Sequence, residues 1–388
     1  MKIRKWLIFG ALAVAALVAT PGCVSLFLPK SPTKVVGPPA VPPVLGALGG
    51  DPAIATSADW MNRRAPILRE DFQNLIYGRM PAHFDPVVTA RKELDIKEVR
   101  DFAYVDQFTI QVSDKGPKGE PPLTFNMLIF MPKSAVDSAA GPSPILIAEN
   151  FCGNRALFHR RPVEIAAPLT KVYDACNNGN LDWLAQTILG KYINGPPIER
   201  VMRRGYALAE FYAGDIVADE PIGAPPALER LADGATPRTG AIIAWAWAYS
   251  RAIDVLSSDP RFDKKRMVLW GHSRNGKSAL VAAAFDPRVS GVIAHQSGRG
   301  GAALSRSTLG ETVAEITEKY PYWFAPDFKN YAGMEQSLPS DQHQLIALIA
   351  PRPVLFTGGR SDGWADPEGA FRAIQGAQPV YRLMGAEG

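Results

Sequence analysis

The stretch LWGHSRNGKSAL, residues 269–280, decides the fold, and it contains two overlapping motifs. From Gly271 to Ser278 it matches G-x-x-x-x-G-K-[ST], the P-loop that binds nucleotide phosphates. Around Ser273 it resembles a nucleophile elbow, in which a reactive serine lies on a sharp turn between a strand and a helix. Both motifs predict a strand, a turn and a helix, so the rest of the sequence has to distinguish them.

On both sides of this stretch, short apolar runs alternate with helical patterns. The runs SPILIAEN, residues 143–150, and YALAEFYAGD, residues 206–215, end in polar residues, as buried parallel strands often do. Further elements are predicted in chain order: MVLWGHS (strand), GKSALVAAAF (helix), VSGVIAHQS (strand), PRPVLFTGGRSD (strand and loop), DPEGAFRAI (helix) and PVYRLMG (strand). This order predicts an α/β fold, with a mostly parallel sheet, helices on both faces, and active groups at the carboxyl ends of the strands.

The segments upstream of these strands predict a helix and a hairpin. Residues 57–80 have apolar side chains at helical spacing. Residues 104–112 and 123–132 have the pattern of strands, and the Gly- and Pro-rich residues 113–122 between them predict a hairpin. A second helix is predicted over residues 239–258.

The composition is that of an ordinary globular protein, with 388 residues, 47% hydrophobic and 21% charged. The net charge of +4 is small for this length, and no long Lys/Arg run with interleaved aromatic residues occurs. We therefore expect no nucleic-acid partner. No Cys/His cluster has the spacing of a metal site, so we expect no metal and no other cofactor.

The N-terminus predicts export. Three basic residues within residues 1–5 precede an apolar run over residues 6–19, and small residues follow, as in a bacterial secretory signal. The run is short for a membrane span, so a retained anchor is the less favoured alternative. Residues 1–22 are therefore interpreted as an export signal, which places the protein in the periplasm or outside the cell.

Cys23 directly follows this signal and is a candidate lipidation site, although residues 20–22 fit the required pattern poorly. Contact with a membrane is expected only if Cys23 is lipidated. Residues 23–56 are rich in Pro and Gly and predict an extended tether, and residues 57–388 predict one catalytic domain.

Two further cysteines, Cys152 and Cys176, remain. In an oxidising compartment they form either one disulfide or two buried thiols. The sequence leaves both alternatives open.

The P-loop interpretation fits this context poorly. It requires a nucleotide, and an exported protein meets little ATP or GTP. It also requires an acid for Mg²⁺ at the end of a neighbouring strand, whereas the next strand ends in His295 and Gln296. We therefore expect no nucleotide partner and interpret residues 269–280 as an elbow.

In this interpretation Ser273 lies above the sheet, over the N-terminus of the following helix. The helix dipole and the backbone N–H of Arg274 favour a developing oxyanion there. The usual elbow is G-x-S-x-G, but here Asn275 fills the position of the second glycine and Gly276 follows it. An ordinary serine in a strand–helix turn is the remaining alternative.

The shifted glycine resembles the pattern G-[CH]-S-R-x-G-K, which is typical of glucuronoyl esterases, carbohydrate esterase family 15. The resemblance extends over about residues 60–388 and includes the segments HQSGRGGAALSR, GETV, PYWF, LPSDQHQLIALIAPRPVLF and SDGWADPEGAF. It implies an α/β-hydrolase fold. It also implies that the chain cleaves the ester between a lignin alcohol and the 4-O-methyl-glucuronic acid of glucuronoxylan, or small uronate esters.

The resemblance further implies roles for five residues. Ser273 would be the nucleophile, and Arg274 would contribute its backbone N–H and its guanidinium to the oxyanion hole. Lys277 would donate hydrogen bonds to sugar hydroxyls, and Glu311 and Trp364 would line the sugar pocket. The alternatives are a surface arginine that caps the turn, a solvated helix lysine and a buried packing tryptophan.

The chain departs from the family pattern at the catalytic acid. Many members have an acid where this chain has Gln296, and an amide cannot carry the negative charge that stabilises an imidazolium. We therefore assign the acid to Asp362, which follows the strand PVLF, where α/β-hydrolases in general place it. Asp366 precedes a proline and a helical pattern, which is typical of a helix N-cap.

The second departure concerns the catalytic base. The order in α/β-hydrolases is serine, acid, histidine, yet no histidine follows Asp362 in the sequence. The chain contains His83, His159, His272, His295 and His343. We therefore expect the base and a last helix to lie beyond Gly388.

The sequence thus predicts an exported serine esterase that acts on uronic-acid esters of plant cell walls through an acyl intermediate on Ser273, without a cofactor. A general carbohydrate esterase of the acetylxylan type is one alternative, since a small apolar pocket suits acetate whereas a cationic pocket suits a uronate. A non-catalytic carbohydrate-binding relative is the other, because the sequence lacks the expected base.

Overall fold

The computed structural model describes residues 41–46, 52–114, 116, 119–137, 141–172, 176, 194–232 and 239–386. The predicted export signal lies outside the described residues, as does most of the predicted tether. None of the helices in those ranges is long and apolar enough to cross a membrane.

An eight-stranded sheet organises the described residues. The strands are β1 (Val87–Leu94), β2 (Ala103–Gln111), β3 (Thr124–Pro132), β4 (Ser143–Asn150), β5 (Ala207–Tyr212), β6 (Phe262–His272), β7 (Gly291–His295) and β8 (Val354–Thr357). Their spatial order is β1-β2-β3-β5-β4-β6-β7-β8. The pairs β1–β2, β2–β3 and β3–β5 are antiparallel, and the remaining neighbours run parallel. The predicted mostly parallel sheet is confirmed, and the predicted hairpin joins β2 to β3.

Helices connect the strands. They are α1 (Ala65–Asp71), α2 (Lys133–Asp137), α3 (Ile198–Arg203), α4 (Ala224–Leu231), α5 (Ala241–Ser258), α6 (Arg274–Phe285), α7 (Val313–Lys319), α8 (Gln342–Ala347) and α9 (Pro367–Leu383). Helix α1 continues, on both sides, into short α and π turns that together extend from Ser57 to Tyr77. The N-terminal helix predicted over residues 57–80 is therefore present.

Two apolar clusters lie on opposite faces of the sheet. Along β4, Ile145 and Ile147 belong to the larger cluster, whereas Leu146 and Ala148 belong to the smaller one. Successive side chains of a strand point to opposite faces. The larger cluster contains helix α5, which is apolar on nearly all sides and is buried along most of its length, as expected for a helix that is covered all round.

One predicted element is wrong. Residues 379–385 form no strand; residues 379–383 continue helix α9, which contains Pro379 in its interior and ends at Leu383. The buried residues Ala373, Ala377 and Val380 follow helical spacing across the predicted boundary and form one stripe. A Cβ at Gly376 would approach His343 Cβ to 2.8 Å, so α9 packs closely against α8 there.

The two remaining cysteines form a disulfide. The Sγ atoms of Cys152 and Cys176 are 1.95 Å apart, and 24 residues separate the cysteines in sequence. The disulfide therefore connects the segment directly after β4 to Cys176.

Candidate active site

Ser273 lies at the sharp turn between strand β6 and helix α6. Its backbone has φ 54° and ψ −122°, a conformation that is unfavourable for an L residue and that concentrates at functional sites. Its N–H donates to the His295 carbonyl at 2.8 Å, and its carbonyl accepts from the N–H groups of Gly276 at 2.9 Å and Lys277 at 3.1 Å. The predicted strand–turn–helix is therefore confirmed, with Ser273 at its apex.

The two glycines of the motif allow this turn to close. A Cβ at Gly271 would lie 2.0 Å from the carbonyl oxygen of Asn275, and a Cβ at Gly276 would lie 3.0 Å from the carbonyl oxygen of Gly271. Helix α6 starts directly after Ser273, and the ammonium of Lys277 is buried against the Ser297 carbonyl at 2.6 Å. The backbone geometry at Ser273 therefore supports the elbow interpretation over the P-loop alternative.

A buried network fixes the elbow from below. The Asn275 amide donates to the Glu149 carbonyl oxygen at 2.9 Å, and the Ser278 hydroxyl donates to a Glu149 carboxylate oxygen at 2.5 Å. Glu149 is fully buried, and this burial raises the pKa of its carboxyl well above the ordinary value. Asn275, in the position of the usual second glycine, thus anchors the turn to the end of β4.

The Arg274 side chain is mostly buried, with 15% of its surface exposed. Its Nε lies 2.7 Å from an Asp219 carboxylate oxygen, and its guanidinium carbon lies 4.5 Å from the centre of the Phe151 ring. The surface-arginine alternative is therefore wrong. The guanidinium lies beside the elbow, between an acid and an aromatic face.

Lys277 and Glu311 are both buried, and their charges interact. Burial lowers the pKa of Lys277 to about 8, while the nearby charge of Glu311 opposes that shift. Burial likewise raises the pKa of Glu311, and Lys277 opposes it. The Lys277 ammonium lies 5.8 Å from the centre of the Trp323 ring. The solvated-lysine alternative is therefore wrong.

Asp362 lies in the loop after β8 and touches the residue that replaces the usual acid. The Gln296 amide donates to an Asp362 carboxylate oxygen at 2.5 Å, and the other oxygen accepts from the Ala365 N–H at 3.2 Å. The half-buried Trp364 joins this loop to Glu311, because its carbonyl accepts from the Glu311 N–H at 3.1 Å. The structure thus brings the two candidate positions for the acid into contact.

Asp366 begins helix α9. Its carboxylate accepts from the Gly369 N–H at 2.7 Å, and Pro367 is the first residue of the helix. The predicted N-cap is confirmed.

Two of the histidines lie at the elbow. The rings of His272 and His295 are 4.9 Å apart, and His295 Nδ1 lies 2.7 Å from the Thr357 hydroxyl. Burial lowers the pKa of His295, and the charge of Asp362 opposes this. His343 is buried and contacts the Pro42 carbonyl. The expectation that the base lies beyond Gly388 stays a prediction.

Sequence reasoning missed Asp219 and Glu149. Asp219 ends the run FYAGDIVAD, and Glu149 is the last residue but one of SPILIAEN. Both residues come after or at the carboxyl end of a parallel strand, where functional groups gather. That position was the available signal. Within the part of the chain that the structure describes, His, Cys, Asp and Glu side chains form no cluster of three or more that could hold a metal ion.

Comparison with known proteins identifies the family. Residues 233–385 match the sequence profile described as glucuronyl esterase, fungi. Carbohydrate esterase MZ0003, from an unknown prokaryotic organism, is 33% identical over 346 residues, which are 86% of this chain and 76% of that protein. The 4-O-methyl-glucuronoyl methylesterase 1 of Wolfiporia cocos is 35% identical over 161 residues, which are 39% of this chain and 40% of that protein.

A solved structure extends the similarity to the whole fold. A promiscuous CE15 esterase from the marine bacterial metagenome superposes with a TM-score of 0.76 at 32% identity, over 90% of this chain and 86% of that one. Sequence and fold therefore agree over most of both chains. The chain belongs to carbohydrate esterase family 15, the glucuronoyl esterases, and is a carboxylic ester hydrolase with an α/β-hydrolase fold.

Proposed function

We propose that this chain hydrolyses esters of 4-O-methyl-glucuronic acid, with glucuronoxylan and its lignin-linked alcohols as the natural substrate and small uronate esters as simpler ones. The observation that carries the proposal is the pair of buried cations on the first turn of α6. Arg274 directly follows Ser273, and Lys277 lies one helical turn further on. The Arg274 guanidinium contacts Asp219, which accepts a hydrogen bond from the Trp323 indole, and the Lys277 ammonium lies 5.8 Å from the centre of the Trp323 ring. Buried cationic donors beside the nucleophile suit a uronate ester better than an acetate ester, because the acyl side of the uronate ester carries sugar hydroxyls that accept hydrogen bonds and acetate has none.

The names of relatives support the same substrate class. The Wolfiporia cocos protein is a 4-O-methyl-glucuronoyl methylesterase, and the segment that matches the family profile includes the elbow. The bacterial CE15 esterase is described as promiscuous. We therefore assign the glucuronoyl side of the ester as the recognised part and leave the alcohol side broad.

In the first step, Ser273 Oγ attacks the ester carbonyl and gives up its proton to the base. The carbonyl oxygen becomes an oxyanion, which the Arg274 N–H, its guanidinium and the N-terminus of α6 stabilise. Because this charge develops only during the reaction, these donors lower the barrier rather than the ground state. The C–O bond to the alcohol then breaks, and the alcohol leaves with the proton from the base.

In the second step, a water molecule attacks the acyl intermediate on Ser273 and gives its proton to the base. A second oxyanion forms in the same site and collapses, the Ser273 ester bond breaks, and the uronic acid leaves as a carboxylate. Water supplies all the atoms that are added, so the reaction needs no cofactor.

Asp362 acts as the catalytic acid that orients the base. It is the charged partner of the pair that it forms with Gln296, and an ionised acid stabilises the imidazolium during each proton transfer. The hydrogen bond from Gln296 holds the carboxylate in place. Lys277, Glu311 and Trp364 line the sugar side of the pocket.

The base is a histidine. His295 is half-buried at the end of β7, and its pKa responds to the charge of Asp362. Replacing His295 by Gln tests its role: loss of turnover with an unchanged fold supports His295 as the base, and full retention excludes it.

The function is tested with benzyl glucuronate and with an acetylated xylose as the competing substrate. We expect a higher kcat/KM on the glucuronate ester, and no turnover in Ser273→Ala. Ser290→Ala is the control, because Ser290 lies at the opposite end of β7 and donates to the Met267 carbonyl. A preference for the acetate ester, or equal activity in Ser273→Ala, would contradict the proposal.

Export through residues 1–22 is also proposed, and the Cys152–Cys176 disulfide supports an oxidising compartment. The N-terminus of the protein recovered from cells tests it. Cleavage near residue 22 supports export, and a lipid-sized mass increase that Cys23→Ala removes would identify an anchor.

A further inference from the structure

Asp219 lies at the centre of a buried cluster that joins Arg274 to two aromatic side chains. One carboxylate oxygen, Oδ2, lies 2.7 Å from Arg274 Nε, and the Asp219 side chain is only 6% exposed. The other oxygen, Oδ1, accepts from the Tyr322 hydroxyl at 2.9 Å and from the Trp323 indole N–H at 2.7 Å. Each oxygen therefore has a separate set of partners.

The segments that carry these side chains pack on the start of helix α5. The Trp245 indole donates to the Val217 carbonyl at 2.9 Å, two residues before Asp219. The first N–H groups of α5 donate to the carbonyls of Tyr322 at 2.8 Å and Trp323 at 3.2 Å. Both sides of the cluster are thus attached to one buried helix, which makes Asp219 a fixed reference point for the guanidinium.

The charge of Asp219 matters because the ligand in the active site changes its own charge during the proposed reaction. The ester substrate is neutral at its carboxyl group, whereas the product is a carboxylate. A guanidinium without a partner binds a carboxylate strongly through charge-assisted hydrogen bonds. Because Asp219 already offsets part of the Arg274 charge, the guanidinium attracts the product carboxylate less strongly. The oxyanion, which exists only during the reaction, is then the group that the site stabilises most.

We propose that Asp219 is a positioning residue that orients the Arg274 guanidinium beside Ser273 and offsets its charge, so that the uronate product is released. This inference rests on the proposed function. It adds to it a residue 54 positions upstream of Ser273 and a reason why the hydrolysed product leaves a cationic pocket.

Asp219→Asn separates the two sets of partners. An asparagine keeps an oxygen for Tyr322 and Trp323, but it places an NH₂ group against Arg274 Nε–H, where two donors face each other. Tyr322→Phe does the reverse, since it removes one donor and leaves the carboxylate against Arg274. Asp215→Asn is the matched control: Asp215 is 6% exposed and accepts from the Leu169 N–H at 2.8 Å.

We expect Asp219→Asn to lower kcat about tenfold to a hundredfold, as a misplaced catalytic group does, without raising KM. We also expect it to bind sodium glucuronate about tenfold more tightly in calorimetric titration, since the guanidinium has lost its charged partner. Tyr322→Phe should change both quantities by less than about threefold, because the carboxylate stays against Arg274 and keeps the Trp323 donor. Thermal unfolding of each variant reports on folding.

A second measurement is independent of turnover. Phenylglyoxal modifies accessible arginines, and peptide mass spectrometry gives the rate at Arg274. The rate should rise in Asp219→Asn and stay unchanged in Asp215→Asn and Tyr322→Phe. If it does not rise, or if Asp219→Asn weakens both kcat and glucuronate binding, Asp219 has a merely structural role and the inference is overturned.

The two proposals fail in different ways. If the wild-type protein hydrolyses no glucuronate ester and Asp219→Asn still accelerates modification of Arg274, the proposed function is wrong and the positioning role stands. If hydrolysis is present and the modification rate is unchanged, the proposed function stands and the positioning role of Asp219 is wrong.

Discussion

The elbow, residues 271–278, and the acid loop, residues 358–366, follow β6 and β8, the two strands on either side of β7, but are held differently. In the elbow, the side chains of Asn275, Lys277 and Ser278 are buried and hydrogen-bonded to β4 or to the segment after β7. In the acid loop, residues 358–361 are exposed. The loop is held by the bonds of Asp362 and by the Trp364 carbonyl.

This difference predicts which substitutions lower stability and which lower activity. The elbow geometry depends on the core, so a change to its supporting side chains lowers the free energy of unfolding. The acid loop depends on a few bonds at the surface, so a change there alters the chemistry and leaves the fold intact.

The largest effect is expected for Ser273→Ala, which should remove measurable hydrolysis of benzyl glucuronate and leave the unfolding temperature unchanged. The hydroxyl is the proposed nucleophile, and the buried network below the elbow does not include it. Steady-state kinetics and calorimetry measure the two quantities. Ser273→Gly should be more stable than Ser273→Ala by about 1 kcal/mol, because glycine tolerates the φ of 54°. Retained turnover in Ser273→Ala would end the nucleophile assignment.

Asp362→Asn should lower kcat by about 10³- to 10⁴-fold, as occurs when the base loses the acid that orients it. Because residues 358–361 around it are exposed, the unfolding temperature should stay the same. Gln296→Ala is the comparison, and its effect on kcat should be smaller. If Gln296→Ala is the more damaging change, the acid has been assigned to the wrong residue.

Lys277→Ala should weaken the preference for glucuronate esters over plain sugar esters more than it lowers the turnover of either. Hydrogen bonds to charged groups contribute about 1.5–3 kcal/mol, which is about a tenfold to 150-fold change in the kcat/KM ratio. Lys264→Ala, at an exposed position of β6, is the control. Unchanged kinetics on both substrate types would leave Lys277 with a packing role only.

The same residue predicts a pH dependence. The pKa of Lys277 is lowered to about 8, chiefly by burial, so the ammonium is charged below pH 8 and neutral above it. Glucuronate affinity should therefore fall as the pH rises through about 8, and Lys277→Met should abolish that fall. The stability of the fold should change in the opposite direction. Because the unfolded chain keeps the Lys277 proton up to a higher pH, this group raises the free energy of unfolding as the pH rises above about 8.

The smallest effect on turnover is expected for Asn275→Ala. It removes the donor to the Glu149 carbonyl and should lower the free energy of unfolding by about 1–3 kcal/mol, with kcat within about threefold of wild type, as for one lost neutral contact. Asn330→Ala, at an exposed position, is the control for denaturant unfolding. A loss of kcat without a loss of stability would contradict the contrast between elbow and acid loop.

The sequence predicts the local features well and the long-range contacts poorly. The strand, turn and helix around Ser273 follow from short-range patterns, and so does the Asp366 N-cap. The sequence predicts a strand over residues 379–385, whereas packing of Ala377 and Val380 sustains α9 through Pro379.

The partners of Arg274 and Asp362 could not be predicted in the same way. Asp219 lies 55 residues before Arg274 and Gln296 lies 66 residues before Asp362. Only the order of strands in the sheet brings these residues together, and no local pattern encodes that order. The composition of each strand end indicates that a polar residue is present but does not indicate which residue it meets.

The contact between Gln296 and Asp362 also has an evolutionary consequence. Since their side chains are 2.5 Å apart, one carboxylate and one amide can exchange places, and the charge beside the base then moves by little more than a hydrogen-bond length. A chain with acids at both positions would place two like charges in contact, and they would share a proton. A lineage can therefore pass from one acid position to the other through an intermediate that is active only where one of the two acids is protonated.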